Sequence, residues 1–192
     1  MKKILYVASR NPGKINEYKK LLSSVNCRLL LQPISIEVIE NGISFRENAI
    51  KKASEVSKLT NNYAIADDSG LCIEALNGRP GIYSSRYADN DKNRIERILK
   101  ELKSEENRKA FFIANVSLCD PYGKLILDAE GACNGNILNK PRGNNGFGYD
   151  PIFEETTTKL TFAEMNQEDK DSFSHRARAL DKIIPELIKI FY

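Results

Sequence analysis

Two hydrophobic spacings alternate along this chain. Ile4 to Ala8 is a continuous apolar run, the mark of a strand buried on both faces. The turn cluster Asn11-Pro12-Gly13 follows, and Ile15, Tyr18, Leu21 and Leu22 then repeat at helical spacing. Arg28 to Leu31 predicts a second strand. After a loop through Glu40, Asn41 and Gly42, Ser44 with Glu47 three residues on forms a capping box, opening a helix to about Leu59. Tyr63 to Ala66 predicts a short strand ending in an acidic turn, Asp67-Asp68-Ser69-Gly70, with a further short strand over Leu71 to Ile73. Arg79-Pro80-Gly81 turns the chain. Lys92 to Leu102 is an amphipathic helix with Ile95, Ile98, Leu99 and Leu102 on one face. Ala110 to Cys119 and Lys124 to Cys133 flank Asp120-Pro121-Tyr122-Gly123 and predict an antiparallel hairpin. A glycine-rich loop spans Asn144 to Tyr149. The last helix starts near Ser172 or Ser174, carries Leu180, Ile183, Ile184, Leu187 and Ile188 as its stripe, and is expected to kink or restart at Pro185. Alternating strands and helices followed by a hairpin indicate an α/β protein with a mixed sheet.

Composition narrows the function classes. With 192 residues, 41% hydrophobic and 29% charged, the chain reads as one globular domain, 1–192, that needs no staples. Twenty-nine basic against 26 acidic residues leave a net charge of +3, small for a nucleic-acid scaffold yet enough to gather in a site for an anionic substrate. A single-stranded nucleic-acid binder using Lys51 and Lys52 is the weaker reading, because few aromatics interleave with the lysines. Cys27, Cys72, Cys119 and Cys133 form no CxxC pair, and with a single histidine a zinc site is not expected. They read as small buried hydrophobes in a reducing compartment. The apolar run near the N-terminus is too short for a secretion signal, and no stretch approaches a membrane span, so the expected location is cytoplasmic with no membrane partner.

Four segments carry candidate chemistry. Ser9-Arg10-Asn11-Pro12-Gly13-Lys14 links a buried strand to a helix N-terminus, an arrangement that holds phosphate. It is not a Walker A loop, since Ala8 and Ile15 stand where Gly and Ser or Thr would be needed. The ordinary alternative is a loop with a solvated lysine. Asp67 and Asp68, with Glu40 as a further ligand, suit Mg²⁺, which takes one or two carboxylates plus waters and phosphates; the alternative is a solvated acidic turn. Gly146-Phe147-Gly148-Tyr149-Asp150 brings backbone and an aromatic face to a ligand, or is a hairpin turn around a core Phe. Ser174-His175-Arg176 offers donors at a helix start, or is a polar cap. Glu17, one turn from Lys14, is placed to steer its ammonium.

Taken together the chain resembles the inosine/xanthosine triphosphate pyrophosphatases, house-cleaning enzymes for non-standard purine nucleotides. The resemblance is carried, in order, by Ser9–Lys14, Ser44-Phe45-Arg46-Glu47-Asn48-Ala49, Ala64-Ile65-Ala66-Asp67-Asp68-Ser69-Gly70-Leu71, Pro80-Gly81-Ile82-Tyr83-Ser84-Ser85-Arg86, Gly146-Phe147-Gly148-Tyr149-Asp150-Pro151 and Ser174-His175-Arg176. It implies a twisted mixed sheet flanked by helices, two lobes with a central substrate cleft, and a homodimer. It implies hydrolysis of ITP, dITP and XTP to the monophosphate and pyrophosphate with Mg²⁺. Ser9, Arg10, Asn11, Pro12, Gly13 and Lys14 are then expected to hold the phosphates and Ser69 to touch substrate. Glu40 and Asp68 serve the metal, with Asp68 as the base for the attacking water and Asp67 in support. Phe147, Gly148, Tyr149 and Asp150 form the base platform, and Lys170, His175 and Arg176 close on the nucleobase. Beside Mg²⁺, Asp68 is expected to be ionised at neutral pH and a weak base. The alternative is a non-catalytic purine nucleotide sensor on the same fold, against which the trio Glu40, Asp67 and Asp68 argues.

Overall fold

The computed structural model describes residues 2–192 of the chain. Strand β1 (Ile4–Val7) leads into helix α1 (Pro12–Leu21), and the chain returns as β2 (Arg28–Leu31), which pairs parallel with β1. Helix α2 (Phe45–Thr60) is capped by Ser44, whose hydroxyl accepts from the Glu47 N–H. The Glu47 carboxylate accepts from Ile43 at 3.0 Å, one residue before the expected partner. Asn61 ends α2 in the left-handed region, which a short polar side chain tolerates.

Strand β3 (Tyr63–Ile73) then pairs parallel with β1, with Leu5 opposite Tyr63 and Val7 opposite Ile65. The predicted acidic turn does not exist. Tyr63 to Ile73 is one strand of 11 residues, and Asp67 and Asp68 lie buried in its middle, as residues of a solvated turn would not. After helix α3 (Asp91–Glu101), capped by Asn90, strands β4 (Lys109–Cys119) and β5 (Leu125–Ile137) are joined through the predicted turn. There Asp120 accepts from Tyr122 and Lys124, both at 2.9 Å, and Gly123 takes φ +81°. Two short elements escape the periodicity, β6 (Phe153–Glu155), antiparallel to β5, and helix α4 (Gln167–Phe173). Helix α5 (His175–Phe191) runs through Pro185 without a break. Pro185 and Asp181, whose carbonyl loses its helical partner, are both exposed, on the side of the helix open to solvent. The sheet order is β2-β1-β3-β4-β5-β6, an α/β architecture with a mixed sheet and flanking helices.

The chain falls into two compact units: the described residues through Asp68 with Ala114–Gly131 and Arg176–Tyr192, and Ser69–Ile113 with Ala132–His175. In the first, Leu5, Val7 and Ile65 pack with Tyr18 of α1 and Leu180 and Leu187 of α5. Ala64 and Ala66, on the opposite face of β3, pack with Ala53 and Val56 of α2. In the second, Ile98, Leu102, Phe112, Phe153 and Phe162 form the core. Cys72, Cys119 and Cys133 are buried and Cys27 half-buried, all as free thiols. Among the described residues no helix is long and apolar enough to cross a membrane.

A buried carboxylate closes the second unit. Glu155 accepts from the N–H groups of Thr157 at 2.8 Å and Thr158 at 2.7 Å. Burial works against its charge, but these donors hold its carboxyl below the ordinary value. A depressed folded value adds stability above the unfolded value of about 4.3, and that stability is lost as pH falls through the folded value. Glu155→Gln should therefore lower the melting temperature at neutral pH, and the gap to wild type should narrow on acidification below about pH 4. A gap of constant size across a pH series of thermal melts would contradict this.

Candidate active site

Period-two alternation decides the first half of the site. Asp67 shares a face of β3 with Ile65, and Asp68 shares the other with Ala64 and Ala66. Asp67 therefore meets α1 and α5. Its Oδ2 lies 2.9 Å from the Lys14 ammonium and accepts from Arg176 Nη2 at 2.9 Å and Nε at 3.2 Å. Arg176, 1% exposed, also donates from Nη1 to Glu17. Glu17 is thus committed to Arg176, and the expected Glu17–Lys14 contact is replaced by Lys14–Asp67.

Asp68 meets α2. Its Oδ2 accepts from Asn48 Nδ2 at 2.9 Å, and its Oδ1 lies 3.6 Å from the Lys52 ammonium. Lys52 also donates to Glu40 Oε1 at 2.9 Å. Lys52 is buried, which removes it from any solvated basic patch, and Lys51 is held by Asn41 and Glu55. Asn48 and Lys52 stand one turn apart on α2, among Ala49, Ala53 and Val56. Those small neighbours let α2 approach the strand. Two polar residues at i, i+4 on a small-residue face are the sequence signal for a role at Asp68; Lys52 enters the sequence reading only in the nucleic-acid alternative and Asn48 only within a segment that carries the resemblance.

The neighbouring acids are driven in opposite directions. Burial opposes ionisation of Asp67, but Arg176, Lys14 and Lys52 overcome it and hold its carboxyl well below the ordinary range. Burial pushes the Asp68 carboxyl up, and Lys52, Lys14 and the Asn48 bond only partly offset this. This is the direction for the metal-free carboxyl; a divalent cation at Asp68 would favour its charged form. Burial lowers the Lys14 pKa against the pull of Asp67. Burial also acts to lower that of Lys52, but Asp68 and Glu40 outweigh it and raise it.

The expected phosphate loop is closed on itself. Asn11 Oδ1 caps α1 by accepting from Gly13 at 2.9 Å and Lys14 at 3.2 Å, Pro12 has no N–H, and Ser9 Oγ accepts from Asn11. Arg10 donates to the carbonyls of Ile34 at 2.8 Å and Ile36 at 2.7 Å, tying down the following loop.

Glu40 and Asp68 already converge on one cation, the Lys52 ammonium, and both are hard oxygen donors, so they fit Mg²⁺. No group of three or more His, Cys, Asp or Glu side chains placed to hold a metal occurs among the described residues.

The second unit holds the other residues. Phe147 is half-buried, with the Lys170 ammonium 4.7 Å from its ring centroid. Asp150, buried, accepts from the Phe147 N–H at 2.8 Å and from Lys170 at 2.7 Å. The Gly148 N–H donates to Asp91, and the buried Tyr149 hydroxyl donates to the Ser84 carbonyl at 2.9 Å. Tyr149 and Asp150 therefore support the loop that presents Phe147. The His175 ring stacks on Phe112 with centroids 4.8 Å apart. His175 and Arg176, adjacent in sequence, thus serve different units. Ser69 is half-buried on β3.

Arg176→Leu leaves two buried carboxylates, Asp67 and Glu17, without their shared cation. The expected loss is about 3–5 kcal/mol of unfolding free energy, read from urea denaturation midpoints. A loss under about 1 kcal/mol, the scale of an exposed pair, would contradict the placement.

Known proteins resemble this chain throughout. The model of the Ham1 family matches residues 5–186. A dITP/XTP pyrophosphatase of Prochlorococcus marinus subsp. pastoris is 72% identical over 191 residues, covering 100% of both chains. The dITP/XTP pyrophosphatase of a Nostoc species is 51% identical, over 97% of this chain and 95% of that one. The structure of a HAM1 protein from Coxiella burnetii superposes with a TM-score of 0.89 at 37% identity, over 97% of this chain and 99% of that one.

Proposed function

The chain belongs to the Ham1 family, and from that premise we propose that it hydrolyses ITP, dITP and XTP to the monophosphate and pyrophosphate. The observation that carries this reading is the divergence of the two adjacent acids. On one face of β3 Asp67 is held between Lys14 and Arg176 as a charged anchor, while on the other Asp68 shares the Lys52 ammonium with Glu40, which leaves Asp68 as the acid available to act on water.

Water oxygen attacks the α-phosphorus, its proton passes to an Asp68 carboxylate oxygen, and the bridging bond to the β-phosphate breaks to release pyrophosphate. Asp67 and Arg176 do not touch the reacting atoms in this account. They fix Lys14, whose ammonium offsets phosphate charge. Phosphate reaches the α1 amides by displacing the Asn11 carboxamide from Gly13 and Lys14, exchanging a neutral acceptor for a charged one. Glu40 and Asp68 are the residues to hold Mg²⁺, which when bound supplies charge neutralisation and acidifies water. In the second unit Phe147 offers its ring face to the purine, with Lys170 and His175 as donors toward a 6-oxo acceptor. Adenine presents a 6-amino donor there, and an unpaired donor costs about 1–3 kcal/mol. The working form in this proposal is a cytoplasmic homodimer, for which the exposed apolar side chains of Ile34, Ile39 and Ile43 supply contact surface.

Asp68→Asn keeps the size and loses the charge. Pyrophosphate release from ITP should fall about 10²–10⁴-fold while the thermal melt stays cooperative. A turnover near wild type would remove the base assignment. Phe147→Ala should weaken nucleotide binding by roughly 1–3 kcal/mol without altering which purine is preferred. Binding as tight as wild type in calorimetry would show that the ring only packs. Across a nucleotide panel, ITP and XTP should exceed ATP and GTP in kcat/KM; equal efficiencies would refute the substrate class.

A further inference from the structure

The carboxamide of Asn48 joins two elements that the proposed metal assignment requires to act together. The side chain is fully buried. Its Nδ2 donates to Asp68 Oδ2 at 2.9 Å, and its Oδ1 accepts from the Gly42 N–H at 2.8 Å. Gly42 lies two residues beyond Glu40 on the loop before α2. One carboxamide thus spans the base on β3 and the backbone of the loop that carries the other carboxylate. At this length only Asn donates in one direction and accepts in the other. Aspartate would turn a second carboxylate on Asp68, and leucine would leave both the Gly42 N–H and an Asp68 oxygen unmet.

A separate observation reports the same contact from the other side. A Cβ placed on Gly42 would come within 2.7 Å of Asn48 Oδ1 and 2.8 Å of Glu47 Cβ, so the loop can sit against the carboxamide only because position 42 has no side chain. Lys52 makes a second bridge, between Glu40 and Asp68, but through a positive charge. A divalent cation at those two carboxylates competes with that ammonium. The Asn48 bridge is neutral, so a cation has no like charge to displace there.

We propose that Asn48 is a positioning residue that sets the Glu40 loop against Asp68, so that the two carboxylates are arranged for a divalent cation before it binds. The role rests on the assignment of Glu40 and Asp68 as the metal-holding pair. Residues that orient ligands typically change metal affinity or activity by about 10–100-fold when removed.

The test compares wild type with Asn48→Ala, Asn48→Leu and Gly42→Ala. Mn²⁺ affinity is measured by electron paramagnetic resonance of free Mn²⁺, and pyrophosphate release from ITP is followed across Mg²⁺ concentrations. Both Asn48 variants should bind Mn²⁺ about 10–100-fold more weakly and need correspondingly more Mg²⁺ for half-maximal rate. Gly42→Ala leaves every side chain at Asp68 unchanged, and it carries the test if the Asn48 variants do not fold. It should shift the same two constants in the same direction, with a smaller loss in kcat at saturating Mg²⁺. Folded variants with wild-type Mn²⁺ affinity and Mg²⁺ dependence would overturn the proposal. So would a kcat lowered equally at every Mg²⁺ concentration with Mn²⁺ affinity intact, the result of a purely structural role. A wild-type protein that takes up no Mn²⁺ would remove the metal assignment and the positioning role with it. Wild type that binds Mn²⁺ and hydrolyses ITP, matched by all variants, would remove the positioning role alone.

Discussion

Two consecutive carboxylates buried inside one strand are the constraint that organises the first unit. Charges in such a place are tolerated only with counter-charges and hydrogen bonds at hand. Because neighbours in a strand point to opposite faces, a single partner cannot serve both. Asp67 draws Lys14 from α1 and Arg176 from α5, while Asp68 draws Asn48 and Lys52 from α2. The helices on both faces of β3 are thus tied to the sheet by charge as well as by the apolar contacts of Ile65 on one side and Ala64 and Ala66 on the other.

The same division separates structure from chemistry. Asp67 is over-supplied with cations and stays charged, so it is suited to hold Lys14 and Arg176 in place and unsuited to accept a proton. Asp68 has a neutral donor and a shared lysine, and burial keeps its proton affinity raised. Arg176 belongs to this framework through Asp67 and Glu17. In the second unit Asp150 plays the comparable supporting part, holding the Phe147 backbone and Lys170 around a ring that remains partly exposed.

Much of this was legible in the chain. The apolar run of β1, the Ser44 cap, the stripe of α5 and the turn at Asp120 are local signals, and each formed where its spacing placed it. The acidic stretch of β3 was misread because local polarity argues for a turn, whereas the compensating charges come from residues as distant in sequence as Lys14 and Arg176. Helix α4 and strand β6 are too short for periodicity to register, which hides from the sequence that Lys170 stands on a helix. Pro185 was over-weighted because the cost of a lost helical bond depends on whether water reaches the carbonyl. The segments with candidate chemistry were found through their composition, but the partners of each side chain were not. Lys14 turns to Asp67 rather than Glu17, and Lys52, read from the sequence only as part of a basic patch, joins Asn48 at Asp68.

The strand holds its two adjacent acids on opposite sides of the ordinary carboxylate value. Carbon-13 NMR titration of the Asp67 and Asp68 carboxyl signals in the metal-free protein measures this directly. The account predicts that Asp68 gains its proton above the ordinary aspartate value of about 3.9, while Asp67 stays ionised until well below it. Coincident titration of the two groups near the ordinary value, or Asp67 protonating first, would contradict it.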